Sequence, residues 1–466
     1  MGYDALVKTT LAAVVAAALV FSSPGLASTY DPRPDRWGIS EAAVRSHMEF
    51  LASDALNGRG SGTRDEWIAA EYIASQFRRW ALEPLGDDGG FVTRIAIERS
   101  EITSPPVLSF QGRHATHGSE MTVTSVAATR ISGPLQHYRE GTPVQDRAVL
   151  LLPSGGAAPP GGLTAAAAIV LSLESEQLRT RREAGTPSPR PLALSWIQGV
   201  PTRAAVALDA ATHAALAALP EGTQVALETR AGPSETRHTW NVIGKLTGSS
   251  RSHAQDAIVL SAHLDHVGNR PNANPEPGAD TIYNGADDDA SGTTAVLELA
   301  QAMAWGKRPK RTVIFALFGS EEAGGLGSRH FIDAGPVPLT HIVANLQFEM
   351  IGRPDPKIPA QTLWLTGYER SDLGSELARR GARLVADPHR QQNFFTRSDN
   401  IQFARRGVVA HTVSSFGLHT DYHRPSDEVG TIDFRHMTTA IRSMVQPILW
   451  LANSSFQPEW HEGQRP

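Results

Sequence analysis

The chain of 466 residues contains no cysteine. No disulfide can staple it, and no thiolate can serve as nucleophile or metal ligand. Any metal site must therefore be built from His, Asp and Glu. An excess of one charge is missing too: Lys and Arg number 43 against 48 Asp and Glu, a formal net charge of -5. No block of like charges stands out, which gives no ground for expecting nucleic acid, a polyanion or a membrane surface as partner. There is no internal repeat, and after residue 27 no apolar run suggests a bilayer span, which needs roughly 20 residues. What is present is ordinary globular composition, 41% hydrophobic and 20% charged, in a chain long enough for two domains.

The first residues carry Lys8, an apolar run from Leu11 to Phe21, and Gly25-Leu26-Ala27 with small residues at the positions a signal peptidase reads. This pattern predicts a signal peptide over 1–27 and export, to the periplasm or beyond. Asp4 offsets Lys8, which leaves an uncleaved anchor as the alternative. From Trp37 to about Leu85 apolar residues recur at helical spacing, interrupted by NGRGSGT at 57–63. No strand precedes that glycine-rich stretch, so it reads as a turn and not as a nucleotide cradle. Residues 105–235 alternate short β-like runs with Gly/Pro-rich stretches such as GGAAPPGGLT, which suggests a small β-rich domain inserted into a larger one.

From Asn241 the texture changes. DAIVLSAHLD (256–265), TVIFALF (312–318), IVANLQF (342–348) and GVVAHTVSS (407–415) are near-continuous apolar runs of strand length, as expected for strands buried on both faces of a mainly parallel sheet. Helical patterns at 292–304 and 371–382 lie between them, and a last helix over about 433–452 opens at Asp433 and contains Pro447, which predicts a kink. The expected fold is α/β: a mainly parallel, doubly wound mixed sheet with helices on both faces, plus the inserted β-rich unit.

In such sheets ligands bind at the carboxyl ends of the strands. Here those ends carry His263-Leu264-Asp265-His266, Glu321-Glu322, Glu349, and HTDYHRPSDE at 419–428, while Asp287-Asp288-Asp289 precedes the helix near Gly292. Each piece alone has an ordinary explanation: a structural histidine, a helix cap at Asp287, a solvated Glu-Glu turn, a surface loop. All of them would have to hold together at one end of one sheet, where like-charged carboxylates repel unless cations offset them. Two histidines and several carboxylates suit Zn²⁺ with N and O ligands; Co²⁺ or Mn²⁺ would also fit. A pair of metals sharing one carboxylate uses that ligand count naturally. Asp265 suits acceptance of the second ring N–H of a ligating imidazole.

The ordered series HLDHVG, GADDDASG, FGSEEAGGLGS, FEMIGR and DYHRPSDE resembles the clan MH co-catalytic zinc peptidases: bacterial leucyl aminopeptidase, aminopeptidase Y and glutamate carboxypeptidase. The resemblance covers about residues 40–105 and 236–452. It implies a peptidase domain discontinuous over 28–104 and 236–455, a protease-associated-like insert over 105–235, and a tail at 456–466. It also implies two Zn²⁺ per chain, one on His263, Asp288 and Glu349, the other on Asp288, Glu322 and His423, with Asp288 as the bridge and a cis bond to Asp289. Glu321 would be the general base and Asp265 the partner of His263. Glu349 stands where the best-known members have aspartate, and Asn400 where a histidine often follows Ser-Asp; Ser398 and Asp399 are expected to be structural. The implied activity is removal of N-terminal residues from peptides or proteins. A glutamate carboxypeptidase, with Arg353 and Arg397 clamping a substrate carboxylate, a glutaminyl cyclase, or a non-catalytic binding protein on the same scaffold are the alternatives.

Overall fold

The structure is a computed structural model, and it describes residues 33–117, 119–125, 130–139, 142–154, 166–172, 193–196, 204–231, 235–253, 255–271 and 277–466. The expected signal peptide lies outside the described residues. Two helices come first, α1 (Glu41–Leu51) and α2 (Arg64–Arg79). Ser40 and Thr63 cap them by accepting backbone N–H groups of the first turn, which satisfies donors that a helix start leaves unpaired.

A long strand, β1 (Val92–Phe110), pairs its first half with β2 (Glu235–Leu246) and its second half with a strand over Gln224–Ala231. The expected domain boundary at 104/105 therefore falls inside a strand and not in a loop. Beyond it, residues from Leu108 to Leu227 form a hydrophobic cluster of their own.

After β2 come β3 (Ala257–His263), α3 (Gly292–Ala304), β4 (Thr312–Phe318), α4 (Leu326–Ala334) and β5 (Ile342–Phe348). They are followed by β6 (Leu363–Leu365), α5 (Leu373–Arg379), β7 (Leu384–Ala386), β8 (Val409–Ser414) and α6 (Phe434–Asn453). The sheet order is β2-β4-β3-β5-β8-β6-β7. The four strands β4, β3, β5 and β8 run parallel, while β2 and β6 join antiparallel. This is the expected mixed, mainly parallel α/β sheet.

Alternate residues of the central strands enter different cores. Ile258, Leu260 and Ala262 of β3 pack with α1, α2, α3 and α6, whereas Ala257 and Val259 pack with Phe331 of α4 and with Phe403. The strand period of two thus places helices on both faces. α3 is buried from Gly292 to Met303 and forms the spine of one face. α6 begins where expected, with the Asp433 carboxylate accepting from His436 N, and it continues through Pro447 to Asn453. α5 is shorter than its pattern predicts, because Gly381 takes φ +101° two residues past its last turn and turns the chain away.

Candidate metal centre

The parallel strands end side by side, and the groups that follow them meet there. His263 closes β3. Its Nε2 lies 3.1 Å from Asp288 Oδ1, and its Nδ1 lies 3.1 Å from the Asp265 carbonyl oxygen. The Asp265 carboxylate, expected to take that ring N–H, is farther from it at 3.7 Å. It is committed elsewhere: it accepts from Glu321 N at 2.9 Å, Glu322 N at 3.4 Å and Ser61 Oγ. Asp265 therefore orders the turn after β4 more directly than it orders the imidazole.

Glu66 of α2 completes that turn. Its buried carboxyl accepts from Ser320 N at 2.9 Å, Gly62 N at 2.7 Å and Thr239 Oγ1 at 2.6 Å. Ser320 is held at φ +51°, where the chain leaves the strand direction. Two carboxylates gripping successive backbone N–H groups make a rigid turn from which the Glu321 and Glu322 side chains project differently. Glu322 Oε1 lies 3.0 Å from His266 Nδ1 and 2.9 Å from His423 Nε2. The electrostatic neighbours of Glu321 are instead His263, Asp399 and Glu349.

The Asp288–Asp289 peptide bond is cis. Asp427, from the DYHRPSDE stretch, accepts from Asp287 N and Asp288 N at 3.0 to 3.1 Å and so fixes this segment. Asp288 Oδ1 turns to His263, while Oδ2 lies 3.0 Å from His423 Nε2 and 3.8 Å from His266 Nδ1. Asp287 does not cap α3: it accepts from Gly352 N and faces His419 Nε2 at 2.9 Å. The capping contact belongs to Asp289, whose Oδ1 accepts from Gly292 N and Met350 N. A Cβ at Gly292 would come within 2.3 Å of Phe348 O, so glycine is what lets α3 approach the end of β5 and bring Asp288 to Glu349.

Two groups of side chains result, each with its ligand atoms within 4.8 Å of one another: His263, Asp288 and Glu349, and His266, Asp288 and Glu322. His423 reaches the same oxygens of Asp288 and Glu322 from the other side. All five expected ligands thus converge, and Asp288 is common to both groups. His266 is an addition that the motifs did not single out, although it stands in the quoted HLDH run.

Burial and mutual repulsion push the acids apart in their proton affinities. Burial raises Glu321 well above the carboxylate range, and it raises Glu349 to about 7. For Asp288, burial and Glu322 push upward, but hydrogen bonds with His263 and His423 outweigh them and hold it below the usual range. Burial alone would lower His263; Asp289, Asp265 and Asp288 together raise it instead. Each imidazole proton facing Asp288 sits where a cation would satisfy the same nitrogen and oxygen.

Beside Glu349 opens a cleft of about 370 Å³ lined by Met350, Trp364, Phe394, Phe416, Tyr422 and Arg397. Trp364 and Phe394 stack with centroids 5.4 Å apart.

Residues 241–448 match peptidase family M28. This part of the chain belongs to that family. The motif resemblance is therefore borne out. An aminopeptidase of Pseudomonas aeruginosa strain UCBPP-PA14 is 34% identical over 118 residues, 25% of this chain and 19% of that protein. Aminopeptidase YwaD of Bacillus subtilis is 25% identical over 230 residues, 48% of this chain and 46% of that protein. The chain spans between about a fifth and under half of the length of these relatives. In structure it is similar to an aminopeptidase from Aneurinibacillus sp. strain AM-1, with TM-score 0.54 and 17% identity, covering 90% of this chain and 95% of that one. It is also similar to a zinc aminopeptidase from Bacillus subtilis, with TM-score 0.50 and 19% identity, covering 93% and 100%. At these identities the likeness shows the fold.

The M28 site fits a pair of divalent cations. Its donors are imidazole nitrogens and carboxylate oxygens alone, Glu349 Oε2 is buried without a hydrogen-bond partner, and one carboxylate serves both groups. Under the site lies a residue that the turn reading of NGRGSGT missed. Arg59 is 1% exposed and donates to the carbonyls of Leu51, Leu264, Asn284 and Gly285, with Nη1 to Asn284 O at 2.6 Å. Burial lowers its pKa to about 10, against the pull of Asp265, Asp289, Asp288 and Asp427. It is a fixed cation set beneath four carboxylates. Gly58, at φ +75° and with backbone where its Cβ would be, lets the loop reach that position.

Proposed function

We propose that the protein is a zinc-dependent exopeptidase, an aminopeptidase that releases N-terminal residues from peptides or proteins, with two Zn²⁺ per chain. One observation carries this: a single buried carboxylate, Asp288, is shared by two groups of nitrogen and oxygen donors, with the separately directed Glu321 beside them. The M28 membership of residues 241–448 and relatives named aminopeptidases support it. His263, Asp288 and Glu349 would hold one ion; Asp288, Glu322 and His423 the other, with His266 against the second group. When bound, such a pair polarises the scissile carbonyl and acidifies water towards neutrality.

The chain's own residues do the rest. Glu321 accepts the proton of the attacking water and hands it to the leaving amine. Asp265 and Glu66 keep the turn rigid, so the base and the ligand next to it cannot exchange places. The aromatic cleft beside Glu349 takes the first side chain of the substrate. Of the two arginines a carboxypeptidase would use to clamp a terminal carboxylate, Arg353 is held by Asp421 Oδ2 through both Nη1 at 2.7 Å and Nη2 at 2.8 Å, which leaves Arg397 as the only one of the pair for that role. Residues 1–27 as a signal peptide, with export to the periplasm or beyond, belong to the same proposal. So do a peptidase domain over 28–104 and 236–455, a protease-associated-like insert over 105–235 and a tail at 456–466.

The test is mass spectrometry of an unblocked pentapeptide incubated with the protein, with zinc supplied and with a chelator added. Stepwise loss from the amino end that the chelator suppresses is expected. Shortening from the carboxyl end, or none in either condition, would overturn the assignment.

A further inference from the structure

The cleft beside Glu349 is not uniformly apolar. Its walls are Met350, Trp364, Phe394, Phe416 and Tyr422, and into them is set one arginine, Arg397. The guanidinium lies over the Phe394 ring, 4.9 Å from its centroid, and 5.9 Å from that of Tyr422. Its one polar contact among the described residues is a long one, Nη2 to Tyr422 Oη at 3.4 Å. No carboxylate of the described residues lies within ion-pair distance of it. In this it differs from Arg353, whose Nη1 and Nη2 both donate to Asp421 Oδ2.

Of the other polar side chains of the cleft, Glu349 belongs to the metal centre, Ser398 Oγ is buried without a hydrogen-bond partner among the described residues, and Thr412 and Ser414 have partners of their own. Thr412 Oγ1 donates to Asn400 Oδ1 at 2.9 Å, and Ser414 Oγ donates to Met350 O at 3.1 Å and accepts from Phe416 N at 3.1 Å. The cleft therefore offers an incoming side chain apolar walls for its stem and, among its lining residues, a single cation, with five N–H donors in a fork. Contact with the Phe394 ring restrains that fork, which limits the rotamers it must give up on binding.

We propose that Arg397 sets the specificity of the cleft, selecting substrates whose N-terminal residue is acidic, glutamate above all, through an ion pair with the side-chain carboxylate. This rests on the aminopeptidase assignment and says which substrate class that site takes. Glutamate is favoured over aspartate because its two methylenes cover the wall between the metal ligand Glu349 and the guanidinium. The competing account is that Arg397 only lends its stem to an apolar wall and keeps its head in water; the cleft would then prefer leucine or phenylalanine and ignore charge.

The two accounts separate on wild-type protein, with no variant needed. L-glutamyl-, L-glutaminyl- and L-leucyl-p-nitroanilide are compared by kcat/KM with zinc supplied, with and without chelator. Glutamate and glutamine differ in charge and hardly in size, so a Glu/Gln ratio of about tenfold or more is expected from a charge-assisted bond. Arg397→Leu should then bring that ratio close to one. Chelator-sensitive cleavage in which glutaminyl equals or exceeds glutamyl would overturn the specificity and leave the aminopeptidase standing. The same holds for an unchanged ratio in the variant. Absence of cleavage of all three, or shortening of a peptide from its carboxyl end, would take both down together.

Discussion

Two places in this molecule bury carboxyl groups, and they solve the problem differently. At the strand ends Asp288, Glu322 and Glu349 share the imidazoles of His263, His266 and His423. Between α1, α2 and α3, Glu298 is fully buried almost alone, its nearest titratable neighbour being His47 Nε2 at 3.5 Å. Neither Glu298 oxygen has a hydrogen-bond partner among the described residues, and burial, with Asp35 adding to it, raises its pKa to about 8. Burial likewise lowers His47 to about 4, so the pair is neutral near pH 7. An isolated buried acid sheds its charge by keeping its proton. A cluster built around a carboxylate that two histidines hold ionised cannot do so, and it calls for cations. That contrast separates the structural acid from the functional ones more clearly than burial does, since both are buried.

The largest expected effect falls on the side of the cluster that makes no metal contact. Glu321→Gln should lower kcat by about 10³-fold, within the range of lost general-base catalysis, while zinc content by plasma mass spectrometry stays that of the wild type. Retention of near-normal turnover would remove the base assignment. Asp288→Asn should do the opposite, emptying both positions, because each histidine loses the oxygen it shares; metal content falling by one ion only would break the idea of a common bridge. His423→Ala against His266→Ala sharpens the second group. The ligand set Asp288, Glu322 and His423 predicts loss of one zinc from the first variant and a smaller loss from the second, and the reverse order would make His266 the ligand.

Arg59→Met tests the support under the site. Removing the guanidinium strands four buried carbonyls and the carboxylates above them, so the melting transition should fall by an amount corresponding to about 3 kcal/mol, with zinc affinity weakened as well. An unchanged melting point would show that the cation contributes nothing.

These residues also show where a sequence is legible. TVIFALF reads as a buried strand because six apolar residues in a row after Thr312 have no other home, and β4 covers the same seven residues. Strand ends and the start of α3 marked the crevice, because parallel strands bring such positions to one edge whatever lies between them; the five ligands within it were named by the motif resemblance. The support behind them was not legible. Arg59 sits in a stretch that looks like any glycine-rich turn, and its partners are backbone carbonyls, one at Leu51 eight residues back and the others in two distant segments, which leave no trace in side-chain identity. Glu66 reads as one more polar residue in the first turn of α2, yet it is fully buried and grips Ser320. Asp265 was placed in the right crevice, but its contact with the Glu321 turn depends on backbone geometry that its spacing from His263 does not encode. Fold and crevice follow from periodicity and strand ends, and the ligands from the motif resemblance; the groups that aim those ligands depend on tertiary approach.

The smallest effect expected is on stability alone, at Glu298. Its folded pKa of about 8 lies above the ordinary 4.5, so the folded state keeps a proton that the unfolded chain releases. The contribution to stability is complete below about pH 4.5 and is lost as pH rises towards 8. At pH 9 the ionised carboxylate must be buried or the helices must part, a penalty on the order of 5 kcal/mol. Glu298→Gln removes the titration while keeping the shape. Melting temperatures of the two proteins should therefore run close together at pH 5.5 and separate steadily to pH 9 in favour of the variant, with zinc content and turnover the same in both. Parallel curves over that range would mean that Glu298 is ionised throughout. The distinction between the two buried acids would then have to rest on the histidines of the cluster and not on the proton.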